Sequence, residues 1–229
     1  MKYLLMLAHP DDEAIASGGT IKRLTNNGDE VEVVLVTDGA GGETKEKGVK
    51  NLGVLRRKET EKAAKILGVK NLKILDYKDG QITNEIVWGK LELDLIDQIE
   101  EVKPDVVVTF DHSGWYFHLD HVGVSIATLR AVQRSEHKVE AMLFSLFHPP
   151  TIKMKYPYVY PQKLAVTHEV DIAKTLKDKI RAVEAHKSQD FMFMSFLEKG
   201  KMNKEYFQLA LASKKGKKIF DKHEVFRKV

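Results

Sequence analysis

From Tyr3 to Ala8 the chain is unbroken apolar, and the run stops at His9-Pro10-Asp11-Asp12-Glu13. A run so short, closed by a turn signal, fits a strand buried on both faces of a parallel sheet. The pattern then repeats. Val31 to Val36 is β-branched and ends at Thr37-Asp38-Gly39. Asn71 to Leu75 ends at Asp76-Tyr77-Lys78-Asp79-Gly80, and Asp105 to Phe110 follows Pro104. Between these strands lie segments of helical spacing: Glu13 to Asn26, with the Gly18-Gly19 pair inside it, Leu55 to Leu67 stopped by Gly68, and Leu91 to Val102.

Strands alternating with helices predict an α/β fold, a Rossmann-like three-layer α/β/α sandwich with a mostly parallel sheet. In such sheets ligands bind beyond the carboxyl ends of the strands. His9 to Asp12, Asp38, Asp79 and the segment after Phe110 are all expected at that rim. Ala40 to Val49, rich in Gly and Lys, reads as a loop. A helix is expected after His121, running to about Gln133, and a further strand over Ala141 to Phe147. Pro149, Pro150, Pro157 and Pro161 mark a connector, Ile172 to Ala185 reads as helix, and the Lys-rich tail from Ser213 reads as a solvated face. No repeat and no linker divides the chain, so a single domain over residues 1–229 is expected.

With no cysteine, a disulfide or thiolate metal site is excluded, and a metal would rest on His and carboxylate groups. The formal net charge of +4 is spread along the chain, which argues against a nucleic-acid partner. The first apolar run is too short for a signal peptide and no stretch has the length of a membrane span, so no stable membrane insertion and a cytoplasmic location are expected.

Two clusters carry chemistry. In the first, three carboxyl groups crowd one imidazole, a repulsion that a cation relieves. Alone, that segment also fits an acidic helix start. In the second, Phe117-His118-Leu119-Asp120-His121, the histidines are three apart and share a face if helical. Asp120 can orient an imidazole through its other nitrogen. Surface histidines would look similar, but two such clusters at one rim favour a divalent-metal hydrolase site. His186 fits either a helix cap or a site contact. His112, His137, His148, His168 and His223 belong to no constellation. There is no Gly-x-Ser-x-Gly elbow and no phosphate-cradling P-loop. The acidic pair after a first strand also fits phosphorylation receiver domains, a shorter fold with no need of a second His cluster.

These motifs resemble the PIG-L/LmbE-like family of zinc-dependent N-acetyl-sugar de-N-acetylases. Ala8 to Glu13 matches its Ala-His-Pro-Asp-Asp-Glu signature in full, and His118, Asp120 and His121 match His-x-Asp-His. Thr37-Asp38-Gly39, Arg56 with Glu59, Asp79-Gly80, Thr109-Phe110, Gly114 and His186-Lys187-Ser188-Gln189 extend the likeness from Lys2 to about Phe207. The resemblance implies zinc held by His9, Asp12 and His121. It implies Asp11 as general base, His118 as oxyanion stabiliser or acid, and Asp120 as support for a histidine. Arg56 and Asp79 are implied as sugar contacts. The expected substrate is a small N-acetylated sugar, and relatives are often homo-oligomers. Leu119 replaces the family's usual Pro, and Trp115-Tyr116-Phe117 is bulkier than its norm. Removal of another N-acyl group, or sugar binding without catalysis, are the alternatives.

Overall fold

The computed structural model describes residues 1–44, 46–146, 165–189 and 202–229, without the side chains of Glu85, Ile86 and Trp88. Eight strands form one sheet in the order β3-β2-β1-β4-β5-β7-β6-β8. The strands are β1 (Lys2–Leu7), β2 (Glu30–Thr37), β3 (Asn71–Tyr77), β4 (Val106–Phe110), β5 (Ala141–Leu146), β6 (His168–Asp171), β7 (Lys204–Ala212) and β8 (Arg227–Lys228). Strands β1 to β5 run parallel, while β7, β6 and β8 are added antiparallel at one side.

The central position of β1 follows from its composition. Leu4, Leu5, Met6, Leu7 and Ala8 are all buried, with neighbours on both edges. β1 pairs with β2, which leads on to β3, and the chain returns as β4 on the other side of β1. The strand order therefore reverses between β1 and β4, where a crevice opens at the carboxyl edge.

Helices cover both faces. α1 (Asp12–Asn26), α2 (Leu52–Leu67) and α6 (Leu176–Ala185) pack together on one, and α3 (Glu85–Val102) with α5 (Leu119–Arg134) on the other. A helical turn, α4 (Gly114–Phe117), precedes α5, and α7 (Lys214–Phe220) lies near the end. Asn51 starts α2 by accepting from the Val54 N–H at 3.0 Å, and Gly68 ends it with φ 80°.

The Gly18-Gly19 pair is a close-packing site. A Cβ on Gly19 would stand 2.6 Å from Ile172 Cβ, so only glycine lets α1 come this near the segment before α6. Through the same gap the Glu205 carboxylate from β7 accepts the N–H groups of Gly19 (3.0 Å) and Thr20 (2.7 Å).

Three expectations need correction. The helix carrying His121 starts at Leu119, so His118 caps it and His121 stands in its first turn. Helix α6 starts at Leu176 because His168–Asp171 pairs with β7 as a strand first. The Lys-rich tail is not merely a solvated face. Its lysines are exposed, but Phe220, Val225 and Phe226 are core residues. The Pro149 to Pro161 connector and Phe147 lie outside the described residues.

Candidate metal centre and active site

The β1–β4 crevice collects residues from four loops. His9 to Asp12 follow β1, Thr37 to Gly39 follow β2, Asp79 follows β3, and Asp111 to His121 follow β4. Thr37 ties the first two together, its N–H and Oγ1 both reaching the Ala8 carbonyl, at 2.9 and 3.1 Å.

Three donor atoms converge at the centre. His9 Nδ1 lies 3.2 Å from His121 Nε2, and the Asp12 carboxylate lies 3.7 Å from His9 Nδ1 and 3.3 Å from His121 Nε2. A tetrahedral ion with bonds of about 2.0–2.1 Å spaces its ligand atoms by about 3.3 Å. The His9–His121 separation and the contact of Asp12 Oδ1 with His121 match that spacing, while Asp12 faces His9 through its other oxygen, Oδ2. His118 joins the group from the side, its ring 4.8 Å from that of His9 and 4.6 Å from that of His121. Its donor atom lies within 4.8 Å of those of the other two histidines.

The other nitrogen of His9 is held from behind. Nε2 is 3.1 Å from Asp120 Oδ2 and 3.1 Å from Asp79 Oδ1. His9, Asp79 and Asp120 also form a metal-competent group. Here, however, the carboxylates are already hydrogen-bonded: Asp120 accepts from the N–H of Gly80 (2.7 Å) and Ile82 (3.1 Å), and Asp79 from that of Gly41 (2.9 Å). The two acids favour a proton on Nε2, so that Nδ1, which faces His121 and Asp12, is the nitrogen that would ligate a cation. The histidine that Asp120 contacts is His9.

The electrostatics favour positive charge at this point. Although burial works against it, the Asp120 and Asp79 hydrogen bonds raise His9 to about 10. Asp12 is held low against its own burial by His121. A cation at the triangle satisfies the same demand while keeping Nδ1 unprotonated. His118 goes the other way: burial and the charges of His121 and His9 lower its pKa, favouring a neutral imidazole with an N–H to donate.

Asp11 caps α1 with φ 104°, a left-handed backbone uncommon for a residue with a side chain. Burial pushes its carboxyl up and the Arg56 guanidinium pulls it back. Arg56 Nη2 donates to Asp11 Oδ2 (3.0 Å) and to the Pro10 carbonyl (2.5 Å), while Nη1 donates to the Gly39 carbonyl (2.9 Å). Gly39, at φ 68°, leaves the space that this guanidinium fills. Asp79 stands at the rim and Arg56 reaches it from α2, both already engaged with other site residues.

Sequence reasoning missed the wall behind His121. Phe110 stacks on its ring at 4.0 Å and 5°, and Trp115 meets it edge-on at 5.1 Å. Trp115 is fixed by its Nε1–H to the Ser145 carbonyl (3.0 Å) and by its N–H to Asp111 Oδ2 (3.3 Å). Asp111 at the end of β4 was the available signal, as an acid just past a buried strand. Trp115 and Phe117 have φ of 65° and 62° with Tyr116 at −133° between them, so this turn is kinked, and Tyr116, Phe117 and Leu119 stand exposed beside His118. His186 is buried and contacts Glu13, a residue of the motif itself. His112 is exposed, with its ring against Phe144.

A buried His–carboxylate triangle, a carboxylate beside it and a neutral imidazole to one side are the parts of a hydrolytic centre at the switch point of an α/β sheet. The GlcNAc-PI de-N-acetylase family model matches residues 4–132, which include both motifs. The chain belongs to this PIG-L family. It is 32% identical to diacetylchitobiose deacetylase of Thermococcus kodakarensis, over 82% of this chain and 70% of that one. It is 30% identical to 1D-myo-inositol 2-acetamido-2-deoxy-alpha-D-glucopyranoside deacetylase of Actinosynnema mirum, over 82% and 80%. Among solved structures, N,N'-diacetylchitobiose deacetylase from Pyrococcus horikoshii superposes with a TM-score of 0.70 at 26% identity, covering 91% of this chain and 83% of that one. Among the described residues no helix is long and apolar enough to cross a membrane.

Proposed function

We propose that this chain is a zinc-dependent N-deacetylase that hydrolyses the acetamide of an N-acetylglucosamine-type sugar, releasing acetate and a free amine. The observation that carries this reading is the triangle of His9 Nδ1, His121 Nε2 and the Asp12 carboxylate, with sides of 3.2 to 3.7 Å. The named activities of the relatives support the sugar as substrate. His9, Asp12 and His121 would hold the ion. When bound, it lowers the pKa of a coordinated water toward about 7 and polarises the acyl carbonyl.

The chain's own groups do the rest. Asp11 accepts the proton of the attacking water. Arg56 keeps that carboxylate oriented, and Asp120 with Asp79 keeps His9 in the ligating tautomer. His118 donates to the oxygen that gains charge as the carbonyl carbon becomes tetrahedral; one such donor is worth on the order of 3 kcal/mol in other enzymes. The proton then passes to the departing amine. Arg56 and Asp79 are also proposed to line the sugar side. A single catalytic domain, a cytoplasmic setting and a homo-oligomer complete the proposal.

Purified protein assayed for metal content and for acetate release from diacetylchitobiose tests this. About one zinc per chain and stoichiometric acetate and amine are expected, with both lost in His121→Ala. Unchanged zinc in that variant contradicts the ligand set. A second reading, removal of a longer N-acyl group, is favoured by exposed Tyr116, Phe117 and Leu119 beside His118. A panel of N-acyl glucosamines of increasing chain length separates the two.

A further inference from the structure

Asp11 is gripped by more than Arg56. Its backbone N–H donates to Glu13 Oε2 at 3.1 Å, and Glu13 Oε1 takes a hydrogen bond from His186 Nε2 at 2.9 Å. Glu13 and His186 are 0% and 1% exposed. His186 lies in the turn after α6, and Ser188 is two residues on. Ser188 donates from its N–H (2.9 Å) and its Oγ (2.6 Å) to the buried Glu59 carboxylate. Glu59 sits on α2 about one turn beyond Arg56, whose guanidinium returns to Asp11 Oδ2. The contacts close a ring that leaves Asp11 by its backbone and comes back to its carboxylate, crossing α1, the turn after α6, and α2.

None of these outer groups has a place in the proposed chemistry. Burying carboxylates is costly unless each is paired or hydrogen-bonded. Two of them here are spent on a short turn and on one backbone N–H. That N–H belongs to the residue held at φ 104°, a conformation that persists only when its surroundings impose it.

We infer that Glu13 and His186, clamped by Glu59 and Ser188, are positioning residues that hold Asp11 in its left-handed backbone and so aim its carboxylate at the water. The inference rests on the proposed role of Asp11 as the base. It assigns to the His186-Ser188 turn, far along the chain from the metal motifs, a part in turnover and none in metal or sugar binding. Without the ring Asp11 relaxes toward ordinary φ and its carboxylate moves, and a misplacement of about 1 Å in a reacting group costs on the order of 10²-fold in rate.

The test uses zinc-loaded protein with diacetylchitobiose as probe, reading kcat, KM, zinc content and melting temperature. His186→Ala is expected to lower kcat about 10²-fold with KM within about threefold of wild type and zinc retained. His186→Gln, whose amide can still donate to Glu13, is expected to recover most of that loss, a rescue that general loosening of the turn does not predict. Ser188→Ala keeps the backbone hydrogen bond to Glu59 and is expected to lower kcat by about three- to tenfold, at unchanged KM. Wild-type kcat in His186→Ala, loss of zinc in step with kcat, or equal losses in the Ala and Gln variants overturns the inference. If His186→Ala does not fold, Ser188→Ala decides, and unchanged kcat there overturns it. Asp11→Ala, measured alongside, separates this from the base assignment: if Asp11→Ala turns over normally the base reading itself falls, whereas if it is inactive and His186→Ala is not, only the positioning role falls. In the Asp11→Ala background, His186→Ala is expected to add no further loss.

Discussion

The two sides of the sheet are built on different rules. In β3-β2-β1-β4 every strand runs the same way, so every strand-to-helix loop emerges at one edge. That edge receives His9, Asp11, Asp12, Asp79, His118, Asp120 and His121. In β7-β6-β8 neighbours run antiparallel, and among the described residues no donor of the metal groups comes from them. What this side sends across is support: the Glu205 carboxylate into α1, and an aromatic layer of Phe207, Phe220 and Phe226. One side carries the reacting groups and the other holds the helix they stand on.

That division predicts where substitutions are felt. The largest effect belongs to the parallel side. Asp11→Ala is expected to lose about 10²–10⁴-fold in acetate release with zinc retained, and to lower the melting temperature because the buried Arg56 guanidinium loses its carboxylate partner. Near-normal release would remove the distinction between the sides. Next comes Lys179→Met. Lys179 is 2.6 Å from Glu205 and both are buried, so the variant leaves a carboxylate without its counter-charge, at a cost of about 3–5 kcal/mol. Urea unfolding measures it. Turnover per folded molecule should stay near wild type, and a loss of kcat at full folding would show that the supporting side reaches the chemistry directly.

Gly19→Ala is smaller. Its Cβ would meet Ile172 at 2.6 Å, and the overpacking is expected to cost about 1–3 kcal/mol despite alanine's better helix propensity. Stabilisation instead would mean that α1 and the Ile172 segment part easily. The smallest effect is with pH. Burial lowers the pKa of His168 and of His223, the latter bonded to the Tyr3 hydroxyl at 2.7 Å. A lowered folded pKa means that the unfolded chain binds more protons just below its own value of about 6.5. The stability these residues contribute is present above that pH and is lost as pH falls through their folded values. Melting temperature should decline on acidification, and His168→Gln with His223→Gln should flatten the slope; an unchanged slope would contradict this.

Much of the parallel side was legible because its signals are local. An unbroken apolar run has to be a strand buried on both faces, and its end has to be a rim. The order of such strands then brings the two motifs, more than a hundred residues apart, to one crevice. The antiparallel side was not legible for the opposite reason. His168–Asp171 alternates too briefly to stand out, and the lysines after Ser213 hide Phe220 and Phe226, whose burial depends on strands contributed from elsewhere.

The same boundary runs through the site. The motifs by themselves determined which residue types meet, an imidazole pair and a carboxylate suited to a divalent cation, because that chemistry depends on composition and spacing. Only the tertiary structure decided which atom of each faces which. His9 turns Nδ1 to the triangle because two acids from separate loops hold Nε2, and Asp11 keeps its left-handed backbone within a ring of contacts that closes through α2 and the turn after α6. Such orientations are set by partners distant in sequence, and no local pattern records them.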